Sequence, residues 1–270
     1  MAKVPAKNKK VERMIKLTID GKLDEALRSA KVEDLVNVGI IFGQNELHEA
    51  AERFFNRAVQ LDPENTEAWY NLGIALRKLG MNKESIQCFD EAIRIDPKHA
   101  EVWSNKGIAL DNLERIKDAI KCYDEAIRND PGYYEAYYNK GIALADLGKY
   151  KAAIKCYEKA LSINPKLAPA WSNMGLALGE LGKFEDQIRA YDEAILIEPN
   201  YYEAWVNKGI LLDELGNSVA AIKCYNLAIQ IEPRLAAAWY CKVKALGKLG
   251  KHKDEVLCYR RAKKLDPDLH

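Results

Sequence analysis

The sequence predicts an all-α fold, a solenoid of antiparallel helix pairs, and three recurrences predict it. A large aromatic residue returns every 34 positions, at Trp69, Trp103, Tyr137, Trp171, Trp205 and Trp239. Proline keeps the same interval at Pro63, Pro97, Pro131, Pro165, Pro199, Pro233 and Pro267. So does alanine, at Ala58, Ala92, Ala126, Ala160, Ala194, Ala228 and Ala262. A fixed period of this length marks stacked supersecondary units, each too small to bury its own apolar face. The register runs unbroken from Val32 to Leu269, so the sequence divides into units 32–65, 66–99, 100–133, 134–167, 168–201, 202–235 and 236–269.

Each unit reads as two helices. In unit 66–99 the first runs from about Glu67 to Leu79, with Trp69, Leu72, Gly73 and Leu76 at the spacing of one helix face. Gly80-Met81-Asn82 punctuates the chain. The second runs from about Lys83 to Ile95 and turns Ile86, Phe89 and Ile93 inward. Asp96-Pro97 stops it, because proline cannot continue a helix and disfavours the helical region for the residue before it.

The eighth position of six units is glycine: Gly39, Gly73, Gly107, Gly141, Gly175 and Gly209. A mid-helix glycine costs about 1 kcal/mol against alanine, so six at one phase need a reason. Close approach of the paired helix supplies one, with a small residue opposite: Ala51, Ser85, Ala119, Ala153 or Ala221. The recurring alanine before the proline stop would admit the next unit in the same way.

Together Trp69-x2-Leu72-Gly73-x2-Leu76, Ser85-x3-Phe89-x2-Ala92 and Pro97 resemble the tetratricopeptide repeat. The resemblance covers residues 32–269 and implies a right-handed superhelix with an extended concave groove lined by the first helix of each unit. Leucine mostly replaces the family's aromatic at position eleven, as at Leu76 and Leu110, with Phe42 in the first unit. Position seven is lysine in four units, Lys106, Lys140, Lys208 and Lys242; it lies at the margin of the buried stripe, so the stems can cover apolar surface while the amines reach water.

The ends depart from the pattern, as solenoid ends should. Residues 11–31 read as a shortened helical hairpin, an N-terminal cap, with Val11–Ile15 and Leu23–Leu27 joined at Asp20-Gly21. Residues 1–10 carry four lysines and read as a disordered basic tail. In the last unit Val243 replaces the glycine, and Arg260, Arg261, Lys263 and Lys264 make its second helix basic, either a cap in itself or a docking face.

Position six lies about 200° around the first helix from position four, opposite the tryptophan stripe. It holds Asn37, Asn71, Asn105, Asn139, Asn173 and Asn207, then Cys241. Asparagine is a mediocre helix former, and the adjacent position five has drifted among valine, serine and tyrosine (Tyr70 and Tyr138 among them). Six asparagines against that drift point to a constraint. One reading is a ladder of carboxamides, each pairing with a peptide unit of an extended chain. It resembles the asparagine ladder of the O-linked N-acetylglucosamine transferases. The other is that the asparagines bond to the neighbouring repeat or reflect recent duplication. Position nine beside the column is apolar, with Ile40, Ile74, Ile108, Ile142, Leu176 and Ile210, and position two is mostly acidic. A basic or neutral extended peptide therefore suits the groove. The chaperone carboxylate clamp known in the family fits less well, since its lysine belongs on the groove side and these lysines sit on the flank.

Nothing points to catalysis. Four histidines are scattered, and no His-x3-His pair, Cys-x2-Cys pair, phosphate-cradling loop or nucleophile elbow appears. Cys88, Cys122, Cys156, Cys224 and Cys258 share position 23, a core position, and read as reduced buried thiols, neither metal ligands nor disulfide partners. No cofactor is expected. With 41 basic and 40 acidic side chains the chain has no general attraction for nucleic acid or an anionic membrane. The start, Met1-Ala2-Lys3-Val4, lacks the apolar segment of a secretory signal, and the simplest location is cytoplasmic. The expectation is a scaffold that holds an extended segment of a partner in its groove. The alternatives are an arm of a larger sugar-transferase-like or chaperone-linked assembly, and a structural protein that self-associates weakly through its ends. Residues 1–31 and 236–270 each carry nine basic against four acidic side chains, while 32–65 carries two against seven.

Overall fold

The computed structural model describes residues 9–28 and 30–268; the basic stretch at 1–8 lies outside the described residues. The chain falls into two compact bodies, 1–143 and 144–270, divided inside one helix. Among the described residues every regular element is helical. The first body opens with α1 (Lys9–Ile19) and α2 (Leu23–Arg28). It continues through α3 (Val32–Gln44), α4 (His48–Leu61), α5 (Thr66–Lys78), α6 (Asn82–Ile95), α7 (Ala100–Asp111) and α8 (Ile116–Asn129). Helix α9 (Tyr134–Asp146) carries the division. The second body holds α10 (Tyr150–Ile163), α11 (Ala168–Gly179), α12 (Phe184–Ile197), α13 (Tyr202–Glu214), α14 (Ser218–Ile231), α15 (Ala236–Lys248) and α16 (His252–Leu265). The fold is an all-α solenoid: α3 packs on α4, α5 on α6, α7 on α8, and each pair on the next. The second body repeats the arrangement from α11 to α16.

The three sequence recurrences have three jobs. The alanine ahead of each proline is fully buried, from Ala58 to Ala262, and lets the next first helix lie close. The proline carbonyl receives a hydrogen bond from the tryptophan that follows it. Trp69 Nε1 donates to Pro63 O (2.8 Å), Trp103 to Pro97 O (2.9 Å) and Trp205 to Pro199 O (3.0 Å). Trp171 and Trp239 do the same to Pro165 and Pro233. The indole body thus packs while its one polar atom closes the turn.

The glycine column is explained by close approach, but the partner differs from expectation. A Cβ on Gly73 would come within 2.5 Å of Phe89 Cε1, and one on Gly107 within 2.5 Å of Tyr123 Cε1. Gly39, Gly175 and Gly209 meet Phe55, Tyr191 and Tyr225 likewise. The edge of an aromatic ring from the second helix lies against each of these glycines; the small residue one turn earlier serves the backbone, as where Ser85 Oγ donates to the Gly73 carbonyl (2.7 Å). A ring offers more apolar area to bury than a methyl, and only a missing Cβ admits it.

The position-seven lysines also differ from expectation. They do not merely reach water. Lys106 Nζ lies 2.5 Å from Asp90 in the preceding pair and 5.5 Å from the centre of the Trp103 ring. Lys140 pairs with Asp124 and Lys208 with Asp192 in the same register.

At the N-terminus α1 begins at Lys9 and takes in the last two residues of the basic stretch. Its Val11 and Met14, with Ala26 of α2, join the core cluster of Leu35, Val38 and Phe42 on α3. Gly21 makes the turn between them at φ +74°.

Candidate functional site

Position six of each first helix lies away from the packed tryptophan face. In the first body Asn37 on α3 is exposed, Asn71 on α5 and Asn139 on α9 are half-buried, and Asn105 on α7 is only 9 % exposed. In the second body Asn173 on α11 and Asn207 on α13 are half-buried. The column is therefore not uniform, and the hydrogen bonds show why. Asn71 Nδ2 donates to the Glu67 carbonyl of its own helix (2.9 Å). Asn105 is used more fully: Nδ2 donates to Glu101 O (3.0 Å) and to Tyr70 Oη (3.2 Å), and Oδ1 accepts from Arg77 Nη2 (3.3 Å). Asn105 thus ties α7 to α5, as a structural asparagine would, while Asn71 keeps its oxygen free of any bond among the described residues.

Tyr70 belongs to that network and not to an open face. Its ring packs near Phe89 and His99, and burial first, then the Glu101 carboxylate, pushes its phenol up to about 12. Burial likewise depresses Arg77, which reaches Asn105 from the end of α5. This cluster was not legible in the sequence, because it needs Asn105 on α7 to meet Arg77 and Tyr70 on α5, 28 and 35 positions back, across neighbouring helix pairs.

The apolar column at position nine borders the asparagines. Ile40, Ile74 and Ile108 in the first body are half-buried, as are Ile142 on α9 and Ile210 in the second body, and Leu176 is 46 % exposed. Between α3 and α5 they enclose a hollow of about 290 Å³ lined by Ile40, Gln44, His48, Asn71, Ile74 and Lys78. Asn71 and Ile74 thus meet at one hollow, as their spacing requires; Asn105 and Tyr70 are drawn into a separate internal cluster. Tyr138 is half-buried on α9.

Among the described residues no three His, Cys, Asp or Glu side chains are placed to hold a metal ion. Among the described residues the cysteines form no disulfide; burial pushes the thiol of Cys88 up to about 12 and that of Cys122 to about 11. No helix of the described residues is long and apolar enough to cross a membrane.

Stacked helix pairs with a polar-apolar first-helix face define the class of helical-repeat interaction scaffolds. The chain belongs to the tetratricopeptide repeat family, whose models match residues 35–65, 66–99, 100–133, 134–167, 156–189, 190–223 and 236–269. No curated protein matches it in sequence. Among solved structures it is similar in fold to a tetratricopeptide repeat protein from Parabacteroides merdae, with 18 % identity over 87 % of this chain and 93 % of that one and a TM-score of 0.68. It is also similar to the Cut9–Hcn1 hetero-tetramer of the APC/C, with 18 % identity over 88 % and 46 % of the two chains and a TM-score of 0.71. YrrB, described as a TPR protein with an unusual peptide-binding site, gives 21 % identity over 70 % and 97 % and a TM-score of 0.55.

Proposed function

We propose that this scaffold binds an extended peptide segment across its first-helix faces, gripping backbone through asparagine carboxamides and seating side chains against the position-nine aliphatics. The supporting observation is the hollow between α3 and α5, where Asn71, Ile40 and Ile74 converge with a carboxamide oxygen still available. Each backbone rung is worth about 1 kcal/mol net, so several rungs plus apolar contact give an affinity on the order of micromolar. Glu33, Glu67 and Glu101 are exposed at the starts of α3, α5 and α7, which favours a basic or neutral segment over an acidic one. The reading is of a binding protein, not an enzyme, working in the cytoplasm.

A peptide-array screen followed by Asn71→Ala with Asn139→Ala tests it. Binding should survive scrambling of the peptide side chains and weaken about tenfold in the double variant, the loss of roughly 1.4 kcal/mol. Undiminished binding in the double variant would refute the ladder. Asn105→Ala separates the structural role: it should lower stability by about 1–2 kcal/mol through the orphaned Arg77 and Tyr70 groups, read as a drop in the urea midpoint.

A further inference from the structure

A second recognition site is marked by the junction that keeps the acid of a recurring ion pair and loses its lysine. At three junctions a position-seven lysine meets an aspartate of the preceding second helix: Lys106 with Asp90, Lys140 with Asp124 and Lys208 with Asp192. At the corresponding place in α11 the residue is Met174, and opposite it on α10 stands Glu158. The acid is retained and the ammonium is gone. Among the described residues Glu158 forms no ion pair, and no cation lies over Trp171, whereas Lys106 covers Trp103 and Lys242 covers Trp239, each at 5.5 Å. Ala190 widens the gap, because position 23 holds cysteine in five units and Phe54 in another.

The consequence is a hollow of about 440 Å³ in the second body, bounded by α10, α11 and α12. Its walls include Trp171, Met174, Ile154 and Ala190, with Glu158 and Glu193 at the rim. Lys183, Asp186 and Arg189 also border it; Arg189 is engaged by Asp186 on its own helix, leaving the two glutamates against Lys183. The hollow lies on the tryptophan side of α11, away from Asn173, so it is independent of the peptide-binding reading.

We propose that this hollow receives a lysine side chain from a partner protein. The junction at Lys106 shows the mode of fit: its ammonium lies on Asp90 of the preceding pair and over the face of Trp103. A lysine arriving from outside would lay its methylenes on Trp171 and Met174 and bring its ammonium to Glu158. Aromatic face, apolar stem channel and carboxylate together favour an alkylammonium over a neutral or anionic group. Arginine, with its broad planar head, matches the template less well than lysine.

The chain has four methionines, and among those described Met174 alone lines the hollow, so methyl-13C methionine NMR reads it directly. Titration with Nα-acetyl-lysine methylamide should shift the Met174 methyl saturably, with a dissociation constant on the order of millimolar for so small a probe. The norleucine counterpart, which lacks the charge, should bind at least tenfold more weakly, and so should the lysine probe to Glu158→Gln; the glutamate is exposed, so that variant is expected to fold. No shift, equal affinity for norleucine, or unaltered affinity in Glu158→Gln would overturn the proposal. Tenfold tighter binding of 1,4-diaminobutane would overturn the protein lysine in favour of a free polyamine. Independently, Met174→Lys should restore the internal pair, hold the melting temperature within about 4 °C of the parent, as expected for a change of about 1 kcal/mol or less, and abolish capture of a lysine-bearing partner peptide. A larger fall in melting temperature would count against a site shaped for an ammonium.

Discussion

A single hydrogen atom decides much of the packing. At Gly73 the absent Cβ is what lets Phe89 lie on the helix, and a methyl there would sit 2.5 Å from the ring. Gly73→Ala should therefore destabilise the protein by up to about 2 kcal/mol, because overpacking of about 1–3 kcal/mol outweighs the helix-propensity gain of about 1 kcal/mol. Gly43, near the end of α3, makes the opposite case. A Cβ there meets only the Ala51 methyl at 3.9 Å, an ordinary contact. Gly43→Ala should stabilise by about 0.5–1 kcal/mol. Urea unfolding of the two variants checks both signs, and a shared sign would refute the distinction. The same residue scale explains why the position-six asparagines diverged: Asn105 has Tyr70 and Arg77 within reach, and Asn71 has only its own helix carbonyl.

At the scale of the element, the turn between paired helices needs a left-handed residue. Gly80, Gly148, Gly182, Gly216 and Gly250 supply it at φ between +66° and +83°. Glu46 and Glu114 occupy the same turn position at φ +62° and +60°, where a side chain is strained. The turn survives because its backbone bonds are kept, Glu114 N donating to Asp111 O at 2.8 Å. Glu114→Gly should raise stability by about 0.5–1 kcal/mol, the relief of left-handed strain exceeding glycine's extra entropy loss. In a chain of this size that is a melting-temperature rise of about 1–4 °C, measurable by circular dichroism; a fall would show that the turn holds glutamate for another reason.

For the whole molecule, the repeated burial of thiols and phenols links stability to pH. Cys88 and Cys122 are displaced upward from an ordinary 9.0 to about 12 and about 11, and Tyr70 from 10.0 to about 12, in each case chiefly by burial. Above pH 9 the unfolded chain releases protons that the folded chain retains. The unfolded state then binds fewer protons, and stability falls as pH rises. Stability contributed by these groups is complete below pH 9 and is lost progressively up to about pH 12. Urea midpoints at pH 7.5 and 10.5 should show the decline. Cys88→Ala with Cys122→Ala should flatten it near pH 10, and an unchanged slope would shift the cause to the phenols alone.

The fold was almost wholly legible in the amino-acid order, because each unit's packing is local and is written seven times in register. The observed α5 at Thr66–Lys78 and α6 at Asn82–Ile95 lie within a residue of the helices read from periodicity and proline stops. The same redundancy made the candidate face legible: position six opposite position four follows from helical pitch alone. What the sequence could not determine is which partner each column residue takes. Whether a glycine faces an alanine or a tyrosine ring, whether a lysine reaches water or an aspartate 16 positions back, and whether an asparagine is free or locked to Tyr70 all depend on how one helix pair lies on the next. Periodicity specifies which side a residue occupies. Only tertiary packing sets the distances, and hydrogen bonds and ion pairs are decided by distances of an ångström or less.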